Sequence, residues 1–181
     1  MPTASLARIN LQLRELAQLF NSMDPSPFRE RDLDADAEEF IVSWARELHG
    51  GRELELVITL ATEPDPARAD DTGEAVRHYF LTRAEMKHHE FRRLMRLGRR
   101  SSLIGFAFLA LCLLLSRIMS RLDDGTIIRV LQESLIIVGW VAMWRPLEIY
   151  LYDWWPVREE WRDYQRLARM SVRVVGPSGA R

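Results

Sequence analysis

Four polar side chains stand where the chain is otherwise apolar: Arg117, Arg129, Gln132 and Glu133. A carboxylate within helical reach of two guanidiniums can form a shallow ion pair just inside the headgroups, or it can line the mouth of an ion path. Other chemistry-bearing residues are scattered. His78, His88 and His89 share one helical pattern, with Glu85 a turn before His89, but no metalloprotease-type motif accompanies them, and a solvated basic helix face explains them. His49 falls at the expected stop of a helix. The acids at Asp32, Asp34 and Asp36 open like a calcium loop, yet the sixth position is Ala37 instead of glycine and the twelfth is Ser43 instead of glutamate. Acidic residues at a helix start also suit the helix dipole. Cys112 is the single cysteine, which excludes an internal disulfide and a cysteine-based metal site. No phosphate-binding or dinucleotide-binding glycine motif and no nucleophile elbow is present. The expectation is a protein without cofactor or resident metal, and not an enzyme.

The elements that must position these residues follow from hydropathy. Charged residues make up 28% of the chain, but they avoid two apolar blocks. A hydrocarbon core about 30 Å thick needs roughly 20 helical residues. Residues 103–119 and 127–144 come close to that length and are expected to span a membrane. Between them lies SRLDDGT, whose Asp123-Asp124-Gly125 is a turn signal. So short a connection makes the spans an antiparallel hairpin, with Arg117 level with Glu133 and Arg129 one turn from Glu133. Gly98, Ser102, Gly105, Cys112 and Ser116 form a stripe of small residues that lets a second helix approach, from the other span or from another subunit. Basic residues cluster before the first span (Arg83, Lys87, Arg92, Arg93, Arg96, Arg99, Arg100) and after the second (Arg145, Arg158, Arg162), so both chain termini are expected in the cytoplasm. Anionic headgroups account for the basic run better than nucleic acid does.

The stretch GWVAMWRPLEIYLYDWWP, residues 139–156, is where the second span should leave the bilayer. Trp140, Trp144, Tyr150, Tyr152, Trp154 and Trp155 suit an interfacial belt, because their rings are apolar and their N–H or O–H groups need water. An aromatic ligand cage is the alternative. Pro146 is expected to interrupt the helix, and Pro156 to begin another, with the residues between them lying along the interface.

Three regions result. Residues 1–100 form a first arm, 101–144 the hairpin and 145–181 a second arm. In the first arm, the spacing of Leu6, Ile9, Leu13, Leu16 and Phe20 predicts an amphipathic helix and not a signal peptide. Residues 34–51 read as a helix capped by Asp34, stopped at Gly50-Gly51, with Ala37, Phe40, Ile41, Trp44, Ala45 and Leu48 on one face. Residues 53–61 alternate as a strand. Residues 62–73 read as a polar loop, and from Glu74 a helix runs into the first span. In the second arm, Val157, Trp161, Tyr164, Leu167 and Ala168 share a helical face, and 171–175 read as a strand. A lone strand is unstable, so 53–61 is expected to pair with 171–175, within the chain or, as the alternative, between subunits. The fold class is therefore a mainly α membrane protein: a two-helix transmembrane hairpin with a small α/β cytoplasmic domain assembled from both chain ends.

Residues 26–48, SPFRERDLDADAEEFIVSWAREL, and 139–158, GWVAMWRPLEIYLYDWWPVR, resemble segments of an uncharacterised family of bacterial two-span membrane proteins. The resemblance covers both arms and the hairpin. It implies a location in the bacterial inner membrane and no particular activity. The function expected is a scaffold or partner-binding protein that contacts membrane lipids and either a protein partner or further copies of itself. A channel or transporter subunit using Arg117, Arg129, Gln132 and Glu133 is the alternative.

Overall fold

The computed structural model describes residues 6–48, 53–121 and 125–177. Its elements are β1 (Ala7–Leu13), α1 (Ala35–Glu47), β2 (Leu54–Leu60), α2 (Pro66–Met119), α3 (Thr126–Ala142), α4 (Trp144–Glu148), a π-helical turn (Ile149–Asp153), α5 (Trp154–Ala168) and β3 (Ser171–Val175). The chain divides into two compact units. One is Met1–Lys87 with Glu159–Arg181, and the other is His88–Arg158.

The first unit is built on a three-stranded parallel sheet in the order β1-β2-β3. In β2 the alternation places Leu54, Leu56, Ile58 and Leu60 in the core. The expected pairing of this strand with 171–175 is present within the chain, from Glu55↔Ser171 to Thr59↔Val175. The other edge is a correction. Residues expected as an amphipathic helix form β1, paired with β2 from Ala7↔Leu54 to Leu13↔Leu60. Ala7, Ile9, Leu11 and Leu13 also alternate with polar residues, so the segment fits both periods. A central strand leaves backbone groups unbonded on any open edge, and the ladder with β2 satisfies them.

Helix α1 starts as expected, with the Asp34 carboxylate accepting the Asp36 N–H at 3.1 Å. Its core face is Ala37, Ile41, Val42 and Ala45, whereas Phe40 and Trp44, expected on that face, are 36% and 43% exposed. The Gly50-Gly51 stop and His49 lie outside the described residues. Helix α2 begins at Pro66, inside the segment read as a loop. Asp65 caps it by accepting the Ala67 N–H at 3.1 Å, and proline suits the first helical position because no N–H is needed there. Val76 and Phe80 of α2, Ile41 of α1, Leu167 of α5 and the sheet residues Ile9, Leu56 and Ile58 are fully buried together.

The second unit contains the rest of α2, then α3, α4, the π-helical turn and the start of α5. Two helical stretches, Pro66–Met119 and Thr126–Ala168, are long and apolar enough to cross a membrane, and only 11% of the apolar window in each is buried. The Asp123-Asp124 turn lies outside the described residues. The helices pack through glycine. A Cβ at Gly98 would sit 3.0 Å from Ile149 Cγ2, and one at Gly105 would sit 3.1 Å from the Ala142 carbonyl oxygen. A Cβ at Gly139 would sit 2.8 Å from Leu109 Cδ1 and 3.2 Å from Cys112 Cβ. Ascending positions on α2 thus meet descending positions on the second stretch, which makes the two antiparallel. Gly98, Gly105 and Cys112 therefore face the second apolar helix of their own chain.

The prolines interrupt less than expected. The helix is offset only at Met143, and Pro146 and Pro156 lie within the helical stretch Thr126–Ala168, each removing one backbone donor without ending it. The residues between them are helical, including the π-helical turn.

Candidate functional site

In the sheet unit, three helices bring their polar side chains to one carboxylate. The first turn of α1 carries Glu38. Helix α2 carries Tyr79 and Arg83 one turn apart, and α5 carries Tyr164. The Tyr79 hydroxyl donates to Glu38 Oε2 at 2.7 Å, Arg83 donates to the same oxygen at 2.9 Å, and the Tyr164 hydroxyl donates to Oε1 at 3.0 Å. Burial, then the neighbouring carboxylate, pushes both phenols above their ordinary value of about 10. Both therefore remain neutral donors. The three hydrogen bonds make this carboxylate a clamp that joins α1, α2 and α5. The groove beside it has a volume of about 600 Å³, and its cations are engaged. Arg46 lies 3.2 Å from Asp163, and Lys87 lies 2.7 Å from Glu160.

Across the sheet, Glu55 is nearly buried between one arginine from each edge strand. Arg8 Nε and an Arg173 terminal nitrogen each lie 2.8 Å from its carboxylate. This triad ties β1, β2 and β3 together on the face away from the helices.

In the helical-hairpin unit, a cleft of about 1040 Å³ lies between residues 90–100 of α2 and the segment 152–157. Arg93, Arg96 and Arg100 line one wall, Tyr152 and Asp153 the other. Among the described residues, no acidic side chain lies within 4.0 Å of any of these three guanidiniums. Asp153 is engaged by Arg145 at 3.4 Å, and Glu90 at the rim has a partner of its own.

The residues singled out by sequence separate into groups. Arg117, Arg129 and Glu133 are exposed, Gln132 is half-buried, and no ion pair within 4.0 Å joins Arg117 or Arg129 to Glu133. The side chains of Arg117, Arg129 and Glu133 lie on the outer surface of the two helices. Trp140, Trp144, Tyr150, Tyr152 and Trp155 are exposed. The Trp154 indole donates to the Tyr150 carbonyl at 2.7 Å, and the Trp144 indole donates to Glu148 at 3.0 Å. Of the stripe, Gly98, Gly105 and Cys112 are buried and Ser102 and Ser116 half-buried. Among the described residues, no three His, Cys, Asp or Glu side chains are grouped as a metal ion would need.

Sequence reasoning missed the Glu38 clamp, the Glu55 triad and the cleft. The only available signal was the Tyr79–Arg83 spacing of one helical turn. Compared with known protein families, with curated proteins and with solved structures, the chain gives no match.

Proposed function

We propose that this chain is an integral protein of the bacterial inner membrane, anchored by a two-span hairpin with both termini in the cytoplasm, and that it is a non-enzymatic scaffold. Its sheet unit binds a protein partner or a further copy of the chain. One observation carries the membrane reading. The two long apolar helices pack on each other through Gly98, Gly105 and Gly139, while only 11% of each apolar window is buried. Leu103, Ile104, Ile127 and Val141 are more than 60% exposed. Water would penalise that surface at about 25 cal/mol per Å², and lipid would not. The basic residues 83–100 and the exposed aromatic rings of 140–155 support the orientation. The scaffold reading draws on the structural ties of Glu38 and Glu55, which link helices and strands, and on the exposed Phe40–Trp44 pair of α1, whose rings lie 6.0 Å apart. Exposed aromatics of this kind are enriched in protein interfaces.

The test is alkaline carbonate extraction combined with reporter fusions. The protein should stay in the membrane pellet. A cytoplasm-active reporter should work after Arg181 and fail when inserted at Asp124. Release by carbonate, or activity at Asp124, would remove this reading. The exposed, unpaired Arg117, Arg129 and Glu133 favour a channel subunit as the second reading. Ion flux into liposomes that Glu133→Gln alters without changing the melting temperature would select it.

A further inference from the structure

Resting on the membrane reading above, we propose that the cleft walled by Arg93, Arg96 and Arg100 holds the phosphate headgroup of an anionic glycerophospholipid. The three arginines are spaced i, i+3 and i+7, so they form one stripe on α2. The stripe ends just before Leu103, where the apolar surface begins. A phospholipid entering from the bilayer would bring its phosphate to this depth.

The charge balance of the cleft favours an anion. The guanidiniums on its wall have no acidic partner among the described residues, while the acids at its rim are already engaged. The groove beside Glu38 is the opposite case, because Arg46, Arg83 and Lys87 are all paired there. Guanidinium groups bind phosphate oxygens through paired, charge-assisted hydrogen bonds. A zwitterionic headgroup would add its own ammonium to a cleft with three unpaired cations, so a headgroup without an amine fits better.

The lining also suits a lipid better than a free phosphate ester. Leu94, Leu97, Pro156 and Val157 share the cleft with the arginines, giving the glycerol esters and the first acyl carbons an apolar wall. The volume of about 1040 Å³ exceeds what a phosphate alone would fill. Toward the apolar end, the contact of Ile149 with Gly98 brings the helices close. The π-helical turn that carries Tyr152 and Asp153 is a kind of irregularity found often at functional sites.

The experiment uses the full chain in mild detergent. Retention of added phosphatidylglycerol, phosphatidylcholine or soluble glycerol phosphate is measured by native mass spectrometry and by the shift in melting temperature. Phosphatidylglycerol should be retained in preference to phosphatidylcholine, and glycerol phosphate should compete weakly. The double variant Arg93→Gln/Arg100→Gln should weaken that retention about ten-fold or more. Arg92→Gln/Arg99→Gln removes equal charge outside the cleft and should leave retention near wild type. Equal losses in both variants would overturn the proposal in favour of diffuse surface charge. Equal binding of both lipids would overturn it outright, and full competition by glycerol phosphate would make the ligand a soluble phosphate ester. Carbonate extraction of the same variants separates the two readings. A membrane-resistant protein without lipid preference refutes the cleft alone, whereas a carbonate-released wild type refutes the anchoring and the cleft together.

Discussion

Glu38 accepts hydrogen bonds from three donors on two other helices, and each donor can be removed singly. Tyr79→Phe should destabilise the sheet unit by about 1–2 kcal/mol, because a hydrogen bond to a charged group is lost while Arg83 and Tyr164 still hold the carboxylate. Both phenols are raised above their ordinary value by burial and by Glu38. Their protonated forms are therefore favoured by folding. The stability they contribute is complete below about pH 10 and is lost as pH rises above that. Denaturant melts between pH 8 and pH 11 should show the wild type losing stability at the alkaline end, and Tyr79→Phe losing less. Parallel pH curves for the two proteins would show that Tyr79 is not coupled to folding in this way. None of this was legible beforehand. Positions 38, 79 and 164 lie on three helices, and helical spacing says which face a residue occupies without saying which other face it meets. Glu55 was hidden for a similar reason. It reads as the solvent side of an alternating strand, and only the flanking arginines of β1 and β3 explain its burial.

Among the elements, those with a single strong period were legible: α1, β2, β3, and the two apolar helices. The errors came where two local signals competed. Residues 7–13 satisfy both a helical and an alternating pattern, and the sheet partner decides between them. Residues 62–73 are polar enough for a loop, yet Asp65-Pro66 is an N-cap followed by a first-turn proline. The glycines of α2 make the packing testable. Gly73 is helical, and a Cβ there would lie 3.7 Å from Val172 Cβ, an ordinary contact. Gly73→Ala should therefore stabilise the protein by roughly 0.5–1 kcal/mol. Gly139 is different, since a Cβ would press on Leu109 and on Cys112 Cβ. Gly139→Leu should force the apolar helices apart and lower the melting temperature in detergent. A melting temperature unchanged by Gly139→Leu would mean that the two helices do not pack at this site.

On the scale of the whole molecule, the sheet takes β1 and β2 from before the apolar helices and β3 from after them. Deleting residues 170–181 removes β3 and should abolish amide-exchange protection along the β3-facing edge of β2. Unchanged protection there would mean that β2 finds its bonds elsewhere. The pairing of β2 with β3 also has a consequence for biogenesis. During synthesis β2 must wait with one edge open until both apolar helices have emerged, and an open strand edge is a template for aggregation. In the proposed topology, insertion of the hairpin would bring the distant segments back to one side of the bilayer and reduce the loop-closure entropy that opposes their meeting. A chain whose hairpin fails to insert keeps that edge unpaired and stays recognisable to chaperones and proteases. Under the proposed topology, completion of the sheet would thereby report that membrane insertion has succeeded.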